Sequence, residues 1–371
     1  MELYIDRDAL KSALARVQEV IEKRSTVPVL SHVLLHARDG ALHLTATDQE
    51  SAYRGEMPAN VTKGGELAVD ASSLWSAVRE LPEATVHLTQ TDRLQLEVRS
   101  GRAHFRLHAL AAEEYPALAP FAPVSQVKVQ APELRRLVEQ VSGSVATEDV
   151  RWGLNGAHLE RRDEGDAPKL RMVATDGHRL AAAEAAFEGT LTLAPRQLVP
   201  RKALKVLKNV LGMRKDEVAL TFGDGAFQLE LGTEVFWFRM IEAEFPDYQA
   251  VVPSSHKHRA TLRKADLVST LRRVNVLASD RARPVRFRFD EAELEVHTRN
   301  VDRGELRETL PIELEGPGIT VGFNPRYLLD VLEVVTGEHL VLELAHPLAP
   351  CLLRNPDAPQ AFFVIMPMRL D

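Results

Sequence analysis

Asp176 and His178 stand two residues apart in Val173-Ala174-Thr175-Asp176-Gly177-His178-Arg179-Leu180. A carboxylate and an imidazole at that spacing are raw material for an acid/base pair or for two ligands of a metal ion. Nucleophilic catalysis needs a third, orienting group, and a zinc site needs three or four ligands at recognisable spacing. The chain carries no His-Glu-x-x-His, Gly-x-Ser-x-Gly, Gly-x-Gly-x-x-Gly or Gly-x-x-x-x-Gly-Lys-Ser/Thr. His256 and His258 fall in a Pro-Ser-Ser-His-Lys-His stretch that reads as a solvated loop. Cys351 is the only cysteine, which excludes an intrachain disulfide and a cysteine-built metal site. The expectation is no catalytic residue, no metal and no cofactor, with an enzyme using Asp176 and His178 as the alternative.

The elements around that stretch suggest a plainer role. Lys169-Leu170-Arg171-Met172-Val173 alternates like a strand, Leu180 to Ala183 is apolar, and Asp176-Gly177 between them is a hairpin signal. The stretch also recurs. Leu42 to Asp48, Leu170 to Asp176 and Leu294 to Asn300 match one another about 124 to 128 residues apart, a spacing of whole domains. Each is preceded by a strand and an amphipathic helix: Leu3 to Ile5 before Asp8 to Lys23, Val127 to Val129 before Pro132 to Val141, Ala260 to Leu262 before Lys264 to Leu277.

The strand–helix step then repeats within each third. Glu66 to Val69 precedes a helix through Leu74 and Val78, Thr190 to Leu193 one through Leu204 and Leu211, and Gly318 to Val321 one through Leu328 and Val335. Alternating strands follow, as in Val218 to Phe222 and Phe227 to Leu231 around Gly223-Asp224-Gly225. The predicted fold class is α+β: three repeated domains, each of two β-α-β-β-β halves. Pro116 to Pro123 and Val251 to His258 are the expected linkers, which sets the domains at residues 1–122, 123–253 and 254–371.

Composition limits what such a chain does. With 371 residues, 45% of them hydrophobic, it has enough apolar side chains for several cores. The first residues lack the basic and apolar regions of a signal peptide and no apolar run is long enough to span a bilayer, so a cytoplasmic location is expected. The net charge of -7 speaks against a nucleic-acid partner only if charge is spread evenly. It is not. From Arg196 to Lys215 there is no acidic residue, and Arg201, Lys205 and Lys208 recur at i, i+4 and i+7 opposite Leu204, Leu207 and Leu211. Arg135-Arg136, Lys11 with Arg16, Lys23-Arg24, and Arg263-Lys264 with Arg272-Arg273 add positive charge to the first helix of each third. A run of this kind is ordinarily a solvated face. Recurrence at equivalent places favours phosphate contacts, which fix no base sequence and permit sliding.

Three domains in a chain give six in a head-to-tail homodimer, and twelve helices about 10 Å wide line a circle about 120 Å around, room for a DNA duplex. Helices would lie inside and sheets outside. A plain structural oligomer whose basic helices never meet DNA is the third reading.

Val173 to Leu180, Leu154-Asn155-Gly156, Val199-Pro200-Arg201-Lys202, Phe245-Pro246-Asp247-Tyr248, Gly322-Phe323-Asn324 and the ending Val364 to Leu370 occur in order through all three thirds. Together they resemble the bacterial DNA polymerase III beta subunits, the sliding clamps. The resemblance implies a homodimeric ring that encircles double-stranded DNA without sequence preference, is opened by an ATP-dependent clamp loader and confers processivity on the DNA polymerase III catalytic subunit. It implies no reaction and no membrane partner, and a location on the nucleoid. It also implies a pocket between the second and third domains that receives short peptides from polymerases, loader and repair proteins. The matching residues are Leu154, Thr175, Gly177, His178, Arg179, Leu180, Pro246, Val251, Asn324, Tyr327, Val364, Met366, Pro367, Met368 and Arg369. Flexible methionines suit a surface that accepts several partners.

By the same similarity Arg24 and Trp152 match loop positions that touch DNA, beside the basic Arg136, Arg201, Lys202, Lys205 and Lys208. Arg102 to Leu107, with Phe105 and Leu107, resembles the dimer edge of the first domain, to be paired with the third near Val276, Leu277, Glu305 and Glu308. Three positions depart from the family pattern. Gly153 stands where a second aromatic is common, Glu148 where a polar uncharged residue is, and Ala250 where an Arg is.

Overall fold

The computed structural model describes residues 1–22, 27–91, 94–147, 152–163, 167–212, 214–277 and 284–370. One order recurs six times through them: a strand, a helix, then three strands. The openings are Glu2–Asp6 before α1 (Arg7–Val20), Gly65–Asp70 before α2 (Ala71–Arg79) and Pro123–Gln130 before α3 (Ala131–Ser142). Gln197–Pro200 precedes α4 (Arg201–Leu211), His258–Arg263 precedes α5 (Lys264–Leu277) and Ile319–Phe323 precedes α6 (Pro325–Val334). This is the expected α+β repeat of β-α-β-β-β halves.

Helix starts are written into the sequence. Asp6 and Asp70 end their strands, Asn324 directly follows its own, and the three accept hydrogen bonds from the backbone N–H groups of Ala9 (2.8 Å), Ser73 (2.8 Å) and Arg326 (3.0 Å). Each such cap satisfies an otherwise orphaned donor and is worth about 1 kcal/mol. The apolar stripe then decides which face turns inward: α1 buries Leu10, Ala13, Leu14, Val17 and Val20.

One expected strand is displaced. Thr190 to Leu193 forms none, and the strand leading into α4 begins at Gln197. Pro195 cannot donate to a ladder and Arg196 turns with φ 60°, so pairing restarts beyond them. Thr190 N–H donates instead to the Gln126 carbonyl (3.1 Å), and Thr192 N–H to Ser125 Oγ (3.0 Å).

The chain falls into two compact units. The first comprises Met1–Gln130, Glu188–Ala194 and Lys215–Met240. Its described strands form one sheet of fourteen, with α1 and α2 packed on each other. Strand Ser51–Pro58 pairs antiparallel with Glu234–Arg239, so the sheet passes from the first third of the sequence into the second. Tyr53 and Phe236 are opposite one another there, buried, with ring centroids 5.1 Å apart. The Tyr53 hydroxyl donates to Glu234 Oε1 at 2.8 Å, and burial together with that carboxylate pushes the phenol pKa up.

The second unit comprises Ala131–Phe187, Pro195–Arg214 and Ile241–Asp371. Its described strands form a sheet of ten and a sheet of four. Helix α3 packs on α4 and on strand Arg179–Ala186, and α5 packs on α6. Strand Arg179–Ala186 pairs antiparallel with Ala361–Ile365, which carries this sheet from the second third into the last.

Candidate functional site

The turn that opens the argument is tied by its own side chains. Thr175 Oγ1 donates to the Arg179 carbonyl (2.7 Å) and accepts from Gly177 N–H (3.1 Å). Asp176 Oδ1 accepts from the N–H groups of His178 and Arg179, both at 3.0 Å, and Oδ2 accepts from Arg179 Nε at 3.0 Å. Gly177 takes φ 85°, where a side chain would be strained. Both Asp176 oxygens are thus engaged within the turn, and the His178 ring stacks on Tyr327 rather than meeting the carboxylate. Asp176 is a turn former, which removes the acid/base alternative. Among the described residues no group of three or more His, Cys, Asp or Glu could hold a metal ion.

The turn presents His178 and Arg179 to α6. The His178 and Tyr327 rings lie 5.8 Å apart at 14°, and the Arg179 guanidinium sits 4.9 Å from the Tyr327 centroid. Arg179 Nη1 also donates to Asp330 on the same helix. Burial, then the Asp176 carboxylate, raises the Tyr327 pKa, with Arg179 pulling the other way. His178, Arg179, Tyr327 and Asp330 line a hollow of about 500 Å³ together with Arg201.

On the other side of the hairpin lies the apolar floor. Leu180 is opposite Val364, and both are buried with Val173, Ala182, Tyr248 and Leu352, while Phe245, Val251, Val252 and Phe362 pack half-buried against them. The tail leaves the sheet over this floor: Met366 N–H donates to the His178 carbonyl (2.9 Å) and Met368 N–H to the Gly322 carbonyl (2.8 Å). A Cβ on Gly322 would stand 2.5 Å from the Met368 carbonyl oxygen, so a glycine is needed at this approach. Met366, Pro367 and Met368 stay half-buried and Arg369 is exposed. Leu154 and Pro246 line an adjoining hollow of about 420 Å³ with Phe245. Asn324 is spent on capping α6.

Leu352, Phe362 and Asp330 are members that the sequence did not single out, and Phe245 and Tyr248 were named there only within the Phe245-Pro246-Asp247-Tyr248 motif, without a place in the pocket. Tyr248 ends a polar chain beneath the floor. Its hydroxyl donates to Glu160 Oε1 (2.6 Å) and accepts from Arg171 Nη1 (3.1 Å), while Arg171 Nε donates to Glu184 Oε1 (2.7 Å). Burial raises the Tyr248 pKa, and its bond to Glu160 adds to the shift. His158 stacks on Phe245 with centroids 5.2 Å apart; burial lowers its pKa, with Glu160 opposing. Gly153, where the family pattern favours an aromatic, is pressed against Glu244: a Cβ there would stand 2.1 Å from that carbonyl oxygen.

The basic residues divide. On α4, Arg201, Lys205 and Lys208 are exposed, Lys202 is half-buried, and Leu204, Leu207 and Leu211 are buried beneath them. Lys208 Nζ lies 4.0 Å from Glu139. Arg136, expected beside them, is tied into its own surroundings. Its guanidinium donates to Glu133, Gln140 and the Glu184 carbonyl, and its side chain is 16% exposed, because this face of α3 packs on strand Arg179–Ala186. The expectations for Arg24, Glu148 and the Trp152 side chain lie outside the described residues.

Among the described residues, two eight-residue strands present an open edge. Ala103–Leu110 pairs along one side with Gln95–Ser100, but on the other only Ala109 and Leu110 find partners, Val69 and Ala68. Phe105 on that edge is 38% exposed and Leu107 half-buried. In the second unit, Gly304–Pro311 pairs with Glu293–Asn300 alone. Near it on α5, Val276 is 69% exposed, Leu277 is half-buried, and Arg273 pairs with Glu308.

A repeated α+β domain with a basic helix, open strand edges and an apolar pocket, and with no catalytic group assembled among the described residues, has the build of a binding scaffold. Family models for the N-terminal, central and C-terminal domains of the DNA polymerase III beta subunit match residues 1–119, 128–247 and 249–369, and the chain belongs to that family, the sliding clamps. It is 33% identical over 373 residues to the beta sliding clamp of Caulobacter vibrioides, with both chains fully covered. A DnaN sliding clamp from Bartonella birtlesii, solved bound to griselimycin, superposes with a TM-score of 0.94 at 31% identity over 100% of each chain. The Caulobacter crescentus clamp, solved with polyethylene glycol at a putative beta-motif tethering region, gives 0.93 at 33% over 100% of each. The chain is therefore a sliding clamp and a non-enzymatic processivity factor, working with DNA and its polymerase. No described helix is long and apolar enough to cross a membrane.

Proposed function

We propose that two copies of the chain close head to tail into a ring around duplex DNA, with residues 1–122, 123–253 and 254–371 as its three domains. The open edge at Phe105 and Leu107 of one copy pairs with the edge beside Val276, Leu277 and Glu308 of the other. Arg102 and Arg106 on the first edge face Glu305 and Glu308 on the second, which sets polarity as well as register. Arg201, Lys202, Lys205 and Lys208 face the duplex and neutralise phosphates.

The pocket floored by Leu180 and Val364 and edged by His178, Arg179 and Tyr327 takes the linear peptides of clients: the polymerase III catalytic subunit, the clamp loader, other polymerases and repair proteins. The protein works in the cytoplasm on the nucleoid. The observation that carries this reading is the apolar cluster with polar side chains along one edge, the ordinary make-up of a peptide or ligand site.

Retention on DNA tests encirclement. After loading with the cognate loader and ATP, the protein should resist high salt on a nicked circle and leave the same circle once it is cut. Equal loss from both substrates would reduce the contact to ordinary electrostatic binding and defeat the ring.

A further inference from the structure

The first unit contains a second cavity, of about 540 Å³, built where strand Ser51–Pro58 meets Glu234–Arg239. Its volume lies within the usual range for small-ligand and peptide pockets. The floor is a row of cross-strand neighbours: Arg54 is opposite Val235, and Val235 is opposite Glu230. The next row places Trp237 between Ala52 and Gln228. Leu118 and Phe121, from the stretch leading out of the first third, wall the cavity on the other side. Phe121 is seated on Gly223, where a Cβ would come within 2.7 Å of its ring.

The polar groups of this cavity are unevenly used. Glu230 Oε1 accepts from Thr221 Oγ1 at 2.9 Å, so its charge is held on the sheet. Arg54 is exposed, and its side chain has no hydrogen bond or ion pair among the described residues, although it lines the cavity together with Leu118, Phe121 and Val235. Gln228 likewise has no side-chain partner among them, and the Trp237 indole N–H is buried without one. A free guanidinium about 5 Å across the strands from an apolar valine suits a group in which a carboxylate and an apolar side chain leave the same carbon. The C-terminal residue of a peptide is such a group. An acidic side chain inside a peptide holds its carboxylate away from the neighbouring apolar residue.

We propose that this cavity is a second docking site, which captures the free C-terminus of a peptide ending in an aromatic or aliphatic residue. Arg54 takes the terminal carboxylate, the last side chain lies between Val235, Leu118 and Phe121, and the Gln228 amide meets the preceding peptide group. The site lies wholly in the first unit and does not rest on the client pocket described above.

Trp237 provides the reporter. The full chain labelled with 5-fluorotryptophan carries three tryptophans, and the Trp237 signal is assigned by its loss in Trp237→Phe. N-acetyl-Ala-Phe with a free carboxylate, titrated to millimolar concentration, should move that signal, and the C-terminal amide should bind about tenfold more weakly. Arg54→Gln should bring the acid down to the level of the amide. Val235→Asp, which hands the Arg54 guanidinium a carboxylate of its own and sets a like charge against that of the ligand, should abolish binding of the acid. A Trp237 signal that does not move overturns the proposal, as does an Arg54→Gln protein that still prefers the acid.

Discussion

Arg179 and Tyr327 form a cation–π pair at 4.9 Å, and the same guanidinium also holds Asp176 and Asp330. One side chain therefore fixes both the hairpin turn and its contact with α6. Tyr327→Ala removes the platform under Arg179 and His178 while leaving the buried floor intact. Binding of a fluorescent peptide from the cognate polymerase catalytic subunit should weaken about tenfold, the scale of a desolvated cation–π contact plus lost ring packing. Fluorescence anisotropy reads this, and an unchanged affinity would remove Tyr327 from the pocket.

His158 makes this region pH-sensitive. Its pKa is lowered in the folded chain, chiefly by burial, so the unfolded chain takes up a proton first as pH falls. The stability it contributes is complete above the unfolded value near 6.5 and is lost as pH drops below that toward the folded value. His158→Phe keeps the stack on Phe245 but cannot titrate. Melting curves from pH 7.5 to 5 should fall less steeply for His158→Phe than for the parent protein.

Arg201 and Lys205 are exposed on α4 without partners among the described residues. If each neutralises a phosphate, Arg201→Gln with Lys205→Gln lowers the slope of log affinity against log salt by about 0.9 per contact. Affinity on unrelated duplex sequences should fall by the same factor. A loss confined to one sequence would indicate base reading instead.

Phe105 lies on the open edge of the first unit. Phe105→Asp puts an unpaired charge on that edge, opposite the acidic one it is proposed to meet, and should halve the mass seen by light scattering at micromolar concentration. The melting temperature should change little, because the side chain lies outside the core. A dimer of undiminished mass would move the interface elsewhere.

Much of this was readable from residues alone, for reasons that differ by element. Strand alternation and the 3.6-residue apolar period exposed the six β-α-β-β-β halves, because burial enforces both periods. The strand placed at Thr190 to Leu193 was misread, since its alternation is genuine but Pro195 and Arg196 break the ladder before α4. The packing of Arg136 was not legible. Composition reports a charge, whereas only the structure shows its guanidinium tied to Glu133, Gln140 and the Glu184 carbonyl. Leu352 stands in the sequence as one apolar residue of Cys351-Leu352-Leu353-Arg354, and Tyr248 as the end of the Phe245-Pro246-Asp247-Tyr248 motif; that both enter the same buried cluster is visible only in the packing.

The sheets also determine where a closed ring of such chains would give way under load. Glu234 to Phe238 is matched residue by residue with Gly55 back to Ser51, and Arg179 to Ala183 with Ile365 back to Ala361. At these two joins inside the chain, tension pulls on rows of main-chain hydrogen bonds backed by buried rings and aliphatic side chains. A seam made between separate copies has no covalent continuity behind it. Force applied to such a ring should therefore part it at the seams between copies, leaving each chain folded and able to close again.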